Sequence, residues 1–124
     1  MEELTLKEYQ KRAMTTCMPS SNNFSYMFLN LVGEVGEFAS KVAKAIRKDK
    51  AGIDCDVLMM NGCQHNEVEE LEKEAGDILW QLSGLCTVMG LSLEDVAQMN
   101  LDKLAARKAV GTIDGNGDGI IREK

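Results

Sequence analysis

The chain is poor in the residues that build sheets, bridges and membrane spans. Among 124 residues there are one proline, one tryptophan, two tyrosines and three phenylalanines, and few β-branched runs, which leaves little raw material for a sheet. No apolar stretch approaches the roughly 20 residues that a membrane span needs. Met1-Glu2-Glu3-Leu4 lacks the basic start and apolar stretch of a secretory signal. A cytoplasmic, reducing setting without a membrane partner is therefore expected, and in it Cys17, Cys55, Cys63 and Cys86 are expected to be thiols. With one histidine in the chain, Cys55, Cys63 and His65 lie close in sequence but lack the further ligands of a structural zinc set. Basic charge is also in deficit: the formal charge is -6, which argues against gripping nucleic acid through its phosphates unless metal ions stand between.

What the chain does have is helical periodicity. Thr5-Leu6-Lys7-Glu8 has the pattern of a capping box, with Leu4 and Tyr9 placed as a hydrophobic staple. That helix is predicted to end near Met18, before Pro19. A long helix is predicted from about Phe24 to Lys48, with basic residues in its last turns, followed by a loop over 49–65. Asn66 is placed to cap a third helix running to about Met89 and stopped by Gly90, and Ser92 to cap a fourth running to about Ala109. The expected organisation is one all-α bundle over residues 1–110 and a Gly/Asp-rich tail over 111–124.

Two segments inside the long helices repeat one pattern: Glu34-Val-Gly-Glu37-Phe38 and Glu74-Ala-Gly-Asp77-Ile78. Acids three apart share a helix face. At 100° per residue, Glu34 and Glu37 lie along the margin of a stripe formed by Leu31, Val35, Phe38, Val42 and Ala45. Glu74 and Asp77 lie on the corresponding margin of Leu71, Ala75, Ile78, Leu82, Leu85 and Met89. If the stripes pack together, four carboxylates converge, and like charges so close need a cation. Hard oxygen ligands favour Mg²⁺ or Mn²⁺. Either pair alone reads more simply as a solvated acidic face; the repetition, glycine included, favours the metal site. A mid-helix glycine costs roughly 1 kcal/mol against alanine, so Gly36 and Gly76 suggest close helix approach or room for a ligand.

E-x-x-E followed on a later helix by E-x-x-D resembles the signature of the MazG-type, all-α nucleoside triphosphate pyrophosphohydrolases. The resemblance extends through Gly76-Asp77-Ile78-Leu79-Trp80, Gly90-Leu-Ser-Leu-Glu-Asp-Val96, and Asn100-Leu-Asp-Lys103-Leu-Ala-Ala-Arg107, covering most of the chain from about Leu29 to Arg107. It implies a four- to five-helix bundle completed by oligomerisation, as a homodimer or homotetramer. It also implies Mg²⁺ held by Glu34, Glu37, Glu74 and Asp77, and cleavage of the α–β bond of a nucleoside triphosphate to the monophosphate and pyrophosphate. Asn100, Lys103 and Arg107 would then contact nucleotide or phosphate, although the last two also suit an ordinary solvated basic face. Phosphoribosyl-ATP pyrophosphohydrolase is a related alternative. A non-catalytic helical module that keeps the metal site is the alternative from outside enzymology.

Trp80 lies opposite the centre of its stripe, which suits a subunit interface slightly better than stacking on a base. Lys41 is expected to pair with Glu37 along its own helix. The gap holding Cys55, Cys63 and His65 is longer than the family pattern and bears on substrate choice more than on metal binding. Asp114-x-Asn116-x-Asp118-Gly119 matches the first half of an EF-hand loop, but the chain stops before the bidentate glutamate, so a calcium sensor is not expected.

Overall fold

A computed structural model describes residues 2–111. The four helices are α1 (Leu6–Ala13), α2 (Phe24–Arg47), α3 (His65–Val88) and α4 (Leu93–Ala109), and a two-stranded hairpin of β1 (Gly52–Asp54) and β2 (Val57–Met59) lies between α2 and α3. Of the expected tail over 111–124, residues 112 onward, with the EF-hand-like segment, lie outside the described residues.

Local chemistry explains most boundaries. Thr5 accepts from the Glu8 amide at 3.0 Å, Asn23 from Tyr26 at 2.8 Å and Ser92 from Asp95 at 3.3 Å, each satisfying an otherwise orphaned helix amide. Gly90 takes φ +73 just past α3, a conformation that suits glycine.

Three expectations need correction. α1 ends at Ala13 and continues as a 3₁₀ turn to Thr16, not as α-helix to Met18. There the Thr15 and Thr16 hydroxyls donate to the carbonyls of Arg12 and Ala13 at 2.6 and 2.8 Å, competing for the groups that would extend the helix. α3 starts two residues earlier than expected, capped by Gln64 rather than Asn66, with the Glu67 carboxylate accepting from the Gln64 amide at 2.8 Å. The loop contains an antiparallel hairpin, pairing Gly52 with Met59 and Asp54 with Val57. Its two turn residues, Cys55 and Asp56, both have positive φ (52 and 64), which matches the right-handed twist of the strands.

The principal packing is antiparallel, α2 on α3. Met27 is fully buried against Gly84, where an added Cβ would overlap its sulfur and lie 2.6 Å from Cε. One turn along, Asn30 Nδ2 donates to Gln81 Oε1 at 2.7 Å, and further on Lys41 reaches Glu74 at 3.2 Å. α1 braces the turn between α3 and α4 through one side chain: Gln10 accepts from the Leu93 amide at 2.8 Å and donates to Thr87 Oγ1 and the Leu91 carbonyl at 2.9 and 3.1 Å. Among the described residues the buried hydrophobic side chains are few: Met27, Cys86 and Leu93.

Because a Cβ at Gly84 would force the buried Met27 thioether to shift, Gly84→Ala is expected to destabilise the protein by about 1–3 kcal/mol. Urea unfolding measures this, with Gly76→Ala as control, since a Cβ there meets nothing within 4 Å.

Candidate metal centre

The inward line of α2 comprises Met27, Asn30, Leu31, Glu34, Phe38, Lys41, Val42 and Ala45, all buried or half-buried. That spacing follows one helix face. Glu34 therefore lies within the packed face and not on its margin, while Val35, assigned to the apolar stripe, is 49% exposed. The same holds on α3, where Glu74 shares the inward line with Leu71, Ile78 and Gln81 while Ala75 is exposed. Only 13% of the Glu74 side chain reaches solvent. The helix pair thus carries a polar strip along its seam.

Carboxylate oxygens of Glu34, Glu74 and Asp77 lie within 4.8 Å of one another. Glu37 is exposed and falls outside this tight group. Its charge still acts on Glu34, whose carboxyl is pushed above its usual range, first by burial and then by Asp77, Glu74 and Glu37. Lys41 is the cation at the edge of the group. Instead of pairing along α2 with Glu37, it crosses to Glu74 at 3.2 Å and Glu70 at 3.8 Å, because both helices present these residues to the seam. The hydrogen bond to Glu74 raises the Lys41 pKa, against the opposing effect of burial.

Three hard oxygen donors converging from two helices, with one carboxyl held above its usual range by its own neighbours, suit a divalent cation. Gly36 and Gly76, between the paired acids, do not mark a close approach of α2 and α3: a Cβ on either would meet nothing within 4 Å. Gly84 is the glycine of close approach, and its sequence context of Ser83 and Leu85 carries no signal of that.

A match to the family described as MazG nucleotide pyrophosphohydrolase domain spans residues 22–111, from the entry to α2 to the end of α4. The chain belongs to this family. It is also similar to the Gene 37 protein of Mycobacterium phage L5, with 39% identity over 99 residues, covering 80% of this chain and 78% of that protein. No solved structure matches it. The MazG match takes in all four acids and leaves α1 outside, so α1 is an addition to the matched core.

α1 nonetheless reaches the acidic group. The Tyr9 hydroxyl is pushed above its usual pKa by burial and by the charge of Asp77. Tyr9 also lines a hollow of about 360 Å³ with Leu4, Arg12, Ala13, Thr16 and Trp80. Trp80 is half-buried here, its indole nitrogen donating to the Ala13 carbonyl at 3.0 Å and the Thr16 hydroxyl at 3.1 Å. Trp80 faces away from the α2–α3 seam, and α1 covers that face within the same protomer instead of a second subunit. On α4, Asn100 and Lys103 are exposed, and no hydrogen bond or ion pair among the described residues ties them to the acids. Arg107 is buried, 8% exposed, and engaged by interactions of its own. No helix among the described residues is long and apolar enough to cross a membrane.

Glu34 binds its proton more tightly in the folded chain than in the unfolded one, so metal-free stability falls as pH rises through its raised pKa. Thermal melts in EDTA should show that fall, and Glu34→Gln should flatten it and raise Tm at neutral pH. Mg²⁺ at 100 times its dissociation constant should stabilise the wild type by about 2.7 kcal/mol. An equal gain in a Glu34→Gln/Asp77→Asn variant would place the cation elsewhere.

Proposed function

We propose that this MazG protein is a Mg²⁺-dependent pyrophosphohydrolase. Its reaction splits the α–β phosphoanhydride of a (deoxy)nucleoside triphosphate into the monophosphate and pyrophosphate, and its role is to clear surplus or non-standard nucleotides in the cytoplasm. The observation that carries this reading is the convergence of Glu34, Glu74 and Asp77 within 4.8 Å in a chain of this family. These three, with Glu37 beside them, would hold the cation. Bound there, Mg²⁺ supplies Lewis acidity toward phosphate oxygens and lowers the pKa of a water. Glu37, exposed and outside the tight group, is the carboxylate left to accept the proton of the attacking water.

The hollow beside Trp80 suits the nucleoside. The indole edge is tied to α1, so the ring is pre-oriented, and Tyr9 links the hollow to Asp77. Asn100 and Lys103, exposed on α4, are candidates to contact phosphate across a subunit boundary.

Such a boundary is supported by what the protomer leaves uncovered. Phe24 and Phe28 stack at 5.7 Å on the outer face of α2, continued by Leu29, Val32 and Val35, and all five are exposed. A contiguous apolar face of this kind fits a second copy of the chain, in a homodimer or homotetramer.

Pyrophosphate release should be measured across NTPs, dNTPs and phosphoribosyl-ATP, with and without Mg²⁺. Asp77→Asn and Glu37→Gln should each lower kcat/KM by roughly 100-fold or more. No turnover on any nucleotide would remove the enzyme reading, and full activity in Asp77→Asn would remove this site. Light scattering should give a dimer or tetramer, and Val32→Asp should shift it toward monomer.

A further inference from the structure

A second site lies beside the acidic group, at the base of the hairpin. The ends of α2 and β2 and the start of α3 enclose a hollow of about 230 Å³, whose lining includes Lys41, Lys44, Lys48, Lys50, Glu67 and Glu70. In a chain of formal charge -6, four lysines around one hollow are out of keeping with the whole. A hollow of that volume has room for a diphosphate.

The charges in the hollow are unevenly matched. Glu67 is met twice, by Lys50 Nζ at 2.7 Å and by the Gln64 amide at 2.8 Å. Glu70 is met by Lys41 at 3.8 Å and Lys73 at 3.7 Å. Both glutamates are thus offset, while among the described residues neither Lys44 nor Lys48 is held in an ion pair. Lys50 is fixed from behind as well. Its carbonyl accepts from the Gly62 amide at 3.0 Å, and a Cβ on Gly62 would lie 2.8 Å from that carbonyl oxygen. The hairpin base is therefore clamped around Lys50. Lys41 joins the two sites, because the same ammonium lines the hollow and pairs with Glu74 of the acidic group at 3.2 Å.

We propose that this hollow is a diphosphate subsite: Lys44 and Lys48 engage the terminal phosphates of the substrate, and afterwards the pyrophosphate product, with Lys41 at the junction to the acidic group. The assignment of the diphosphate to a nucleotide substrate rests on the pyrophosphohydrolase reading; the anion site itself rests on the lysines. Lysine acts on phosphate as a flexible point charge, so two unpaired ammonium groups suit a ligand that carries several negative oxygens. The segments that flank the hairpin, by supplying Lys50, Met60 and Cys63 to the wall, make the longer gap between the two acidic motifs part of substrate binding.

Calorimetric titration of inorganic pyrophosphate into the intact protein, in EDTA and again in Mg²⁺, tests this. Lys44→Gln/Lys48→Gln should weaken pyrophosphate binding about tenfold or more in both conditions, the loss expected for charge-assisted contacts. Inorganic monophosphate should bind the wild type more weakly than pyrophosphate. Glu34→Gln should bind pyrophosphate in EDTA at least as tightly as wild type, because only a nearby negative charge is removed. Wild-type affinity in the double lysine variant, or no saturable pyrophosphate binding in either condition, would overturn the subsite and leave the lysines as partners of the α2 dipole. Loss of binding in that variant alongside absent turnover on every nucleotide would keep the anion site while removing the pyrophosphohydrolase reading. Turnover with unaltered pyrophosphate binding would do the reverse.

Discussion

The structure depends on a seam between two antiparallel helices that is polar where a helix pair is ordinarily apolar. α2 and α3 present Asn30, Glu34 and Lys41 against Gln81, Asp77 and Glu74. Burying such groups is tolerable only if each finds a partner. The amide pair at one end and the Lys41–Glu74 pair at the other meet that condition. Among the described residues Glu34 and Asp77, between them, have no such partner, and that unmet charge is the origin of the site. Met27 against Gly84 sets how closely the helices approach, so an apolar contact controls the spacing of the carboxylates.

Everything else positions this seam or is left over from it. α1 contributes little apolar burial and acts through directed contacts: Gln10 at the α3–α4 turn, the Ala13 carbonyl on Trp80, and Tyr9 toward Asp77. With so few hydrophobic side chains enclosed, the protomer retains an uncovered face along α2. A single-layer helix pair has a front and a back, and one seam buries only the front.

What was legible in the chain followed the range of the interactions. Thr5, Asn23 and Ser92 cap helices through contacts three residues away, and the paired acids repeat at fixed helical spacing, so both were visible from local pattern. The hairpin was not: its turn is Cys55-Asp56 instead of an Asn-Gly or Asp-Gly pair, and its strands are three residues each. The expectation for Lys41 failed for another reason. Glu37 is its neighbour along the helix, but the acids of α3 come closer across the seam. Calling Glu34 marginal was a smaller error of the same kind, since a fixed angular step locates a face but not the line along which a second helix rests.

The sequence by itself determined that the chain is helical, where three of its helices begin, which four acids form its repeated pattern, and which family it resembles, because these depend on neighbours within a turn or two. Only the tertiary structure decided that Glu34, Glu74 and Asp77 meet while Glu37 stands aside, that Trp80 belongs to α1, and that the lysines of α2 share a hollow with the hairpin. Those outcomes depend on the register of one helix against another. That register is set by side-chain volume at a few distant positions, such as Met27 and Gly84, which no local pattern reveals.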